Sequence, residues 1–217
     1  QEHYQRALSL VEGLAGDEAD RVRMSAWFGQ GRIACTRQHF QESLLLHDRA
    51  YRLARALDDF EGQATILLGT GTLHYLWDHQ AEARLHWEQG QRLARRLGLQ
   101  RIEGLCLNNL ALLQMNGGEL EQALELYERV IKLQEGIQNR TGLADAWNNR
   151  GLIYSILGRY DDARGAYERA LQQSEGLGDE LGAAMEWSNL GDIEIERRRY
   201  AQARVQLQRA LEVFERA

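Results

Sequence analysis

Proline is absent from this 217-residue chain. That excludes polyproline segments, collagen and stiff proline-rich linkers, and removes the residue that breaks helices most strongly. Cysteine is scarce, with Cys35 and Cys106 far apart. A disulfide scaffold needs more cysteines in a shorter chain, so both are read as small apolar residues in a reducing compartment. No run approaches the roughly 18 apolar residues that span a membrane. The N-terminus lacks the charged-then-apolar pattern of a signal peptide. Lysine occurs once, at Lys132, and the other basic residues are arginines, which we read as the coding bias of a GC-rich, bacterial genome. The net charge of −6 argues against a nucleic-acid binder, which needs clustered positive charge. The expectation is a cytoplasmic protein with neither nucleic-acid nor membrane partners. The chain begins at Gln1, already in a helical pattern, so a segment of a larger protein is expected.

Glycine is plentiful, at 21 residues, and falls at regular intervals. Ala146-Trp147-Asn148-Asn149-Arg150-Gly151 is followed 40 residues later by Glu186-Trp187-Ser188-Asn189-Leu190-Gly191. Forty residues earlier stands Cys106-Leu107-Asn108-Asn109-Leu110-Ala111, and Gly71 and Gly31 continue the series. A second register marches in step. Tyr160, Ala163, Tyr167 and Ala170 correspond to Tyr200, Ala203, Leu207 and Ala210, and to Leu120, Ala123, Tyr127 and Val130. A fixed period of this kind decides the fold.

Each copy reads as two helices, because the apolar residues from Leu143 to Leu157 and from Tyr160 to Leu177 recur at helical spacing. Gly158-Arg159 is the turn between them. Gly178-Asp179 stops one pair and caps the next; Asp59 and Asn139 hold the same capping slot, and Leu99 breaks it. Gly151, Gly191, Ala163 and Ala203 let backbones approach, and Tyr167, Tyr127 or Trp87 fills the space between neighbouring pairs. The map is a partial-repeat helix and connector over 1–19, then repeats at about 20–59, 60–99, 100–139, 140–179 and 180–217. All belong to one all-α solenoid of about 11 helices, in which each pair packs on its neighbour.

Trp147, Gly151, Tyr154, Gly158, Tyr160, Ala163, Tyr167, Ala170 and Leu171 match, in order, the pattern of the tetratricopeptide repeat family, which the chain resembles along essentially its whole length. The usual repeat is shorter and ends in proline. The proline-free, 40-residue form resembles spindle-orientation adaptors, kinesin light chain and bacterial regulators of the maltose-regulon type. Arg150 replaces the usual leucine. The resemblance implies a right-handed superhelix whose first helices line a concave groove.

Carried onto matching positions, that groove comprises Phe28, Arg32, Leu68, Thr72, Tyr75, Asn108, Asn109, Leu112, Met115, Asp145, Asn148, Asn149, Leu152, Ser188, Asn189 and Asp192, with Ser25, Thr65, Leu105, Ser155, Met185 and Ile195 beside them. The amides at Asn109, Asn149 and Asn189 admit two readings. An asparagine both donates and accepts hydrogen bonds, so a ladder of them can clamp a peptide backbone. The same asparagines can instead tie one helix pair to the next, which would explain a residue poorly suited to mid-helix. With Arg32 as the one cation, the groove suits an apolar or amphipathic segment better than a C-terminal carboxylate.

Enzymatic motifs are missing. The lone lysine follows Ile131, so no phosphate-binding loop exists, and no Gly-x-Ser-x-Gly elbow, His-Glu-x-x-His or EF-hand loop occurs. His74, Asp78, His79 and His86 are close in sequence, yet their spacing spreads them over a helix end, a turn and the next helix, so no metal is expected. Arg197-Arg198-Arg199 ends a helix, where cations suit the dipole. No cofactor is expected. The leading reading is a non-enzymatic scaffold for a peptide or helix of a regulatory or signalling partner. The alternatives are an effector-sensing domain of a transcription regulator, or self-association through the uncapped last helix with Val205, Leu207, Leu211, Val213 and Phe214.

Overall fold

The computed structural model describes residues 2–217. Those residues form eleven helices and no strand. They are α1 (Glu2–Leu10), α2 (Asp17–Thr36), α3 (Phe40–Ala56), α4 (Phe60–Leu76), α5 (Gln80–Leu97), α6 (Gln100–Asn116), α7 (Leu120–Gly136), α8 (Arg140–Ile156), α9 (Tyr160–Leu177), α10 (Glu180–Glu196) and α11 (Tyr200–Phe214). The fold is therefore the all-α, helix-pair architecture expected. The opening helix stops at Leu10, and α2 begins at Asp17. Gly13 and Gly16 occupy left-handed backbone between them, which an α-helix does not tolerate.

Nine connectors close alike. A residue with positive φ recurs every 20 positions, at Gln38, Asp58, Asp78, Gly98, Gly118, Gln138, Gly158, Gly178 and Arg198. The amide that follows it reaches back to a carbonyl in the last turn, as Asp179 does to Ser174 at 3.0 Å. This closure satisfies carbonyls that a helix end would otherwise leave open. Three caps read from sequence are present: Asp59, Asn139 and Asp179 accept from the amides of Gly62, Gly142 and Gly182 at 2.8, 3.2 and 2.9 Å.

The chain packs as two compact units, Gln1–Leu113 and Gln114–Ala217, divided within α6. In the first, α2 packs on α3 and α4 on α5. A Cβ added at Gly71 would stand 2.5 Å from the Trp87 indole, and one at Gly31 2.5 Å from the His47 ring. Glycine is what lets those rings seat against the helix backbone. Ala50, Ala54 and Ile66 form a core flanked by Met24, Trp27, Phe28 and Tyr51. In the second unit α8 packs on α9 and α10 on α11. There a Cβ on Gly151 would meet Tyr167 at 2.6 Å, and one on Gly191 would meet Leu207 at 2.7 Å. Trp187 lies against Ala184, Ala210 and Val213.

Candidate partner-binding face

In the second unit the first helices are α8 and α10. On α8, Asp145, Asn148, Leu152 and Ser155 follow each other at helical spacing and are exposed or half-buried. On α10, Met185, Ser188, Asp192 and Ile195 do the same. The two stripes are adjacent, because the Asn189 Nδ2 donates to Asn148 Oδ1 at 2.8 Å. They converge at their C-terminal ends on an open depression of about 400 Å³ lined by Ser155, Tyr160, Asp192, Ile195 and Glu196. The Tyr160 hydroxyl donates to Glu196 at 3.2 Å. Leu152, Met185 and Ile195 are 40, 54 and 41% exposed, so aliphatic surface alternates with amide and carboxylate.

The amide row is thus partly committed. At this rung one asparagine holds the next helix pair. Asn149 is half-buried beside it. Glu186 lies beneath, 5% exposed, with Asn189 Nδ2 3.5 Å from its carboxylate. Burial chiefly, offset by the Asn189 hydrogen bond and reinforced by Asp145, pushes the Glu186 carboxyl up to about 7.

Arg150, the departure from the family's leucine, has a physical partner set. Its guanidinium lies 5.3 Å from the Trp147 ring and 5.5 Å from Tyr154, whose hydroxyl it meets at 3.1 Å. Arg169 covers Trp147 at 4.4 Å and Arg159 covers Tyr154 at 4.6 Å. Cations and rings interleave where one aliphatic side chain would sit, through cation–π attraction.

In the first unit the candidate residues divide. Phe28 is not free on a face: its ring lies against the Gly69 backbone and 4.9 Å from His47, between α2 and α4. Leu68, Thr72 and Tyr75 are half-buried on α4. The Trp87 indole donates to the Leu68 carbonyl at 3.2 Å, and the Tyr75 ring is 5.7 Å from Trp87. Thr72 bonds back to Leu68. Arg32 is exposed, and Asn108, Asn109 and Leu112 are half-buried on α6. Met115, in the second unit, is half-buried too.

His74, His79 and His86 lie on a helix end, a turn and the next helix, as read, yet their rings come together. His74 stacks on His86 at 5.2 Å and on His79 at 5.7 Å, and Trp77 stacks on His79 at 4.5 Å. The Asp78 turn folds α5 back, and two helical turns return His86 to the same side. His47, His74 and His86 are all lowered from the usual imidazole value, His47 to about 4, chiefly by burial. Among the described residues no three His, Cys, Asp or Glu side chains are arranged to hold a metal ion. Both cysteines are buried thiols, and burial with Glu103 nearby pushes Cys106 up to about 12. Among the described residues no helix is long and apolar enough to cross a membrane.

The family model of the tetratricopeptide repeat matches residues 103–176 and again 142–216, together more than half of the chain. No curated protein matches it by sequence. Among solved structures, BtubC (BKLC) from P. vanneervenii aligns with a TM-score of 0.89 at 18% identity, over 99% of this chain and 89% of that one. The apo quorum sensor NprR from B. thuringiensis aligns with a TM-score of 0.79 at 16% identity, over 100% and 59%. A Rap protein complexed with Competence and Sporulation Factor aligns with a TM-score of 0.71 at 15% identity, over 97% and 62%. The chain spans less than two thirds of the last two. At these identities the likeness is one of fold.

Proposed function

This chain belongs to the tetratricopeptide repeat family, and we propose that it is a non-enzymatic interaction scaffold that holds a peptide or helix of a protein partner along its first helices. One observation carries the reading. On α8 and α10, aliphatic residues exposed to water alternate with amides and carboxylates in two adjoining stripes, with a depression at one end. Apolar surface of that kind, edged by polar groups, suits an amphipathic segment with side chains in the depression and backbone against the amides. Two structural neighbours agree in kind: one is named a quorum sensor, and the other is a complex with a named factor. A regulatory role in a bacterial cytoplasm is the finer part of the proposal.

The test is a display selection for binding peptides, followed by calorimetry on variants. Leu152→Ala with Met185→Ala should weaken a selected peptide at least tenfold. Unchanged affinity would remove this face as the binding surface. Exposed Val205, Leu211 and Phe214 on α11 favour a second reading, self-association. Light scattering that shows a monomer at every concentration would discard it.

A further inference from the structure

Position 67 breaks the repeat in one respect. Trp27, Trp147 and Trp187 occupy this slot in their own pairs, whereas α4 has Leu67 and α6 has Leu107. In the second unit the slot is filled. Trp147 is half-buried under the Arg169 guanidinium, and Arg140 donates to the Gly176 carbonyl at 3.0 Å. Eighty residues earlier the corresponding positions are Leu67, Gln89, Phe60 and Arg96. The indole is missing, and Phe60 is 48% exposed. An open cleft of about 700 Å³ lies there between α3, α4 and α5. Its apolar part is Tyr51, Phe60, Leu67 and Leu93; its rim is Arg92, Arg95 and Arg96.

The charge at the rim is local and one-sided. From Arg84 to Arg101 five arginines stand against one acid, Glu88. The matching stretch, 164–181, holds Arg164 and Arg169 against Glu168, Glu175, Asp179 and Glu180. Two of the three amides in the cleft are committed: Gln63 donates to the Ala54 carbonyl at 3.2 Å, and Gln91 to Glu103 at 2.8 Å. At the rim Arg92 pairs with Glu88 at 3.5 Å, between largely exposed side chains. Cationic donors from α5 therefore edge an open apolar floor.

We propose that this cleft is a second docking site, taking an acidic peptide segment that carries an aromatic or branched aliphatic side chain. The side chain occupies the space that an indole fills in the pairs with Trp27, Trp147 and Trp187. Flanking carboxylates meet the guanidinium groups, whose planar fork suits them. The site lies within the first unit, and its occupancy does not depend on the α8–α10 face.

The probe is a blocked hexapeptide, glutamate-glutamate-leucine-phenylalanine-glutamate-glutamate, titrated into the chain and followed by amide NMR. Shifts should centre on Leu67, Leu93 and Arg96. Two variants should each weaken binding at least tenfold: Leu67→Trp, which refills the slot, and the exposed triple change Arg92→Gln, Arg95→Gln, Arg96→Gln. The triple change alters surface residues and keeps the test sharp if Leu67→Trp folds poorly. A peptide with alanines in place of leucine and phenylalanine should bind at least tenfold more weakly. No binding at millimolar peptide, shifts centred elsewhere, or indifference to the triple change would overturn the proposal. So would equal response to free glutamate, which means a small-anion site. Concentration-dependent self-association abolished by the triple change would assign the cleft to a second copy and overturn it too.

Discussion

Asn189 and Asn148, 41 positions apart, share a hydrogen bond of 2.8 Å that joins α10 to α8. An amide on one first helix thus helps to set the register of the next. Part-buried hydrogen bonds of this kind are worth on the order of 1 kcal/mol, and neighbours in one network are not additive. A double-mutant cycle of Asn189→Ala and Asn148→Ala, by urea unfolding, should show a coupling of about 0.5–1.5 kcal/mol. Additive losses would mean that the contact contributes nothing.

The small residues under the rings predict opposite signs at different glycines. Gly151→Ala drives a methyl into Tyr167 and should cost about 1–3 kcal/mol, even after the helix-propensity gain. Gly165→Ala, on α9 with open space around it, should stabilise by about 0.5–1 kcal/mol. Thermal unfolding of the two variants checks both. A stabilising Gly151→Ala would contradict close helix approach there.

The broken capping slot is repairable. Asp59, Asn139 and Asp179 hold the amide three residues on, and α6 has Leu99 in that position. Leu99→Asn should raise stability by about 0.5–1 kcal/mol, and Asp179→Ala should lower it by about 1 kcal/mol. Urea midpoints at constant slope measure both.

The two units should respond oppositely to acid. His47, His74 and His86 bind protons more weakly folded than unfolded, with Arg32, His79 and Glu82 facing them. Their neutral packing is fully tolerated above about pH 6.5, and stability is lost as pH falls from there toward the His47 value of about 4. Glu186 has the reverse sign. Its folded value of about 7 lies above the unfolded value of 4.5, so the carboxylate costs stability as pH rises from 4.5 to 7. Glu186→Gln should therefore stabilise by on the order of 2 kcal/mol at pH 8 and change little at pH 4. Hydrogen exchange at pH 5 and 8, read separately on α4 and α10, resolves the two effects.

Much of this was legible in the sequence, because a 40-residue period fixes helix pairs, turns and caps without any knowledge of distance. Gly158, Gly178 and Asp179 behave as read. What periodicity does not carry is the side-chain geometry across a turn. His74, His79 and His86 look scattered along the chain, yet the positive-φ turn at Asp78 stacks them. Phe28 fits the slot pattern of a groove residue, but the missing side chain at Gly69 draws its ring into packing. The signal for the cleft at Leu67 was present as an absent tryptophan; its arginine rim becomes visible only when α5 is folded against α4.

The most direct test is crosslinking of a selected peptide. A photoreactive benzophenone amino acid is placed in turn at Leu152 and Met185, on the first-helix stripes, and at Glu168 and Gln172, exposed on α9. The account predicts peptide adducts from positions 152 and 185 and none from 168 and 172. Adducts from α9 alone would contradict it.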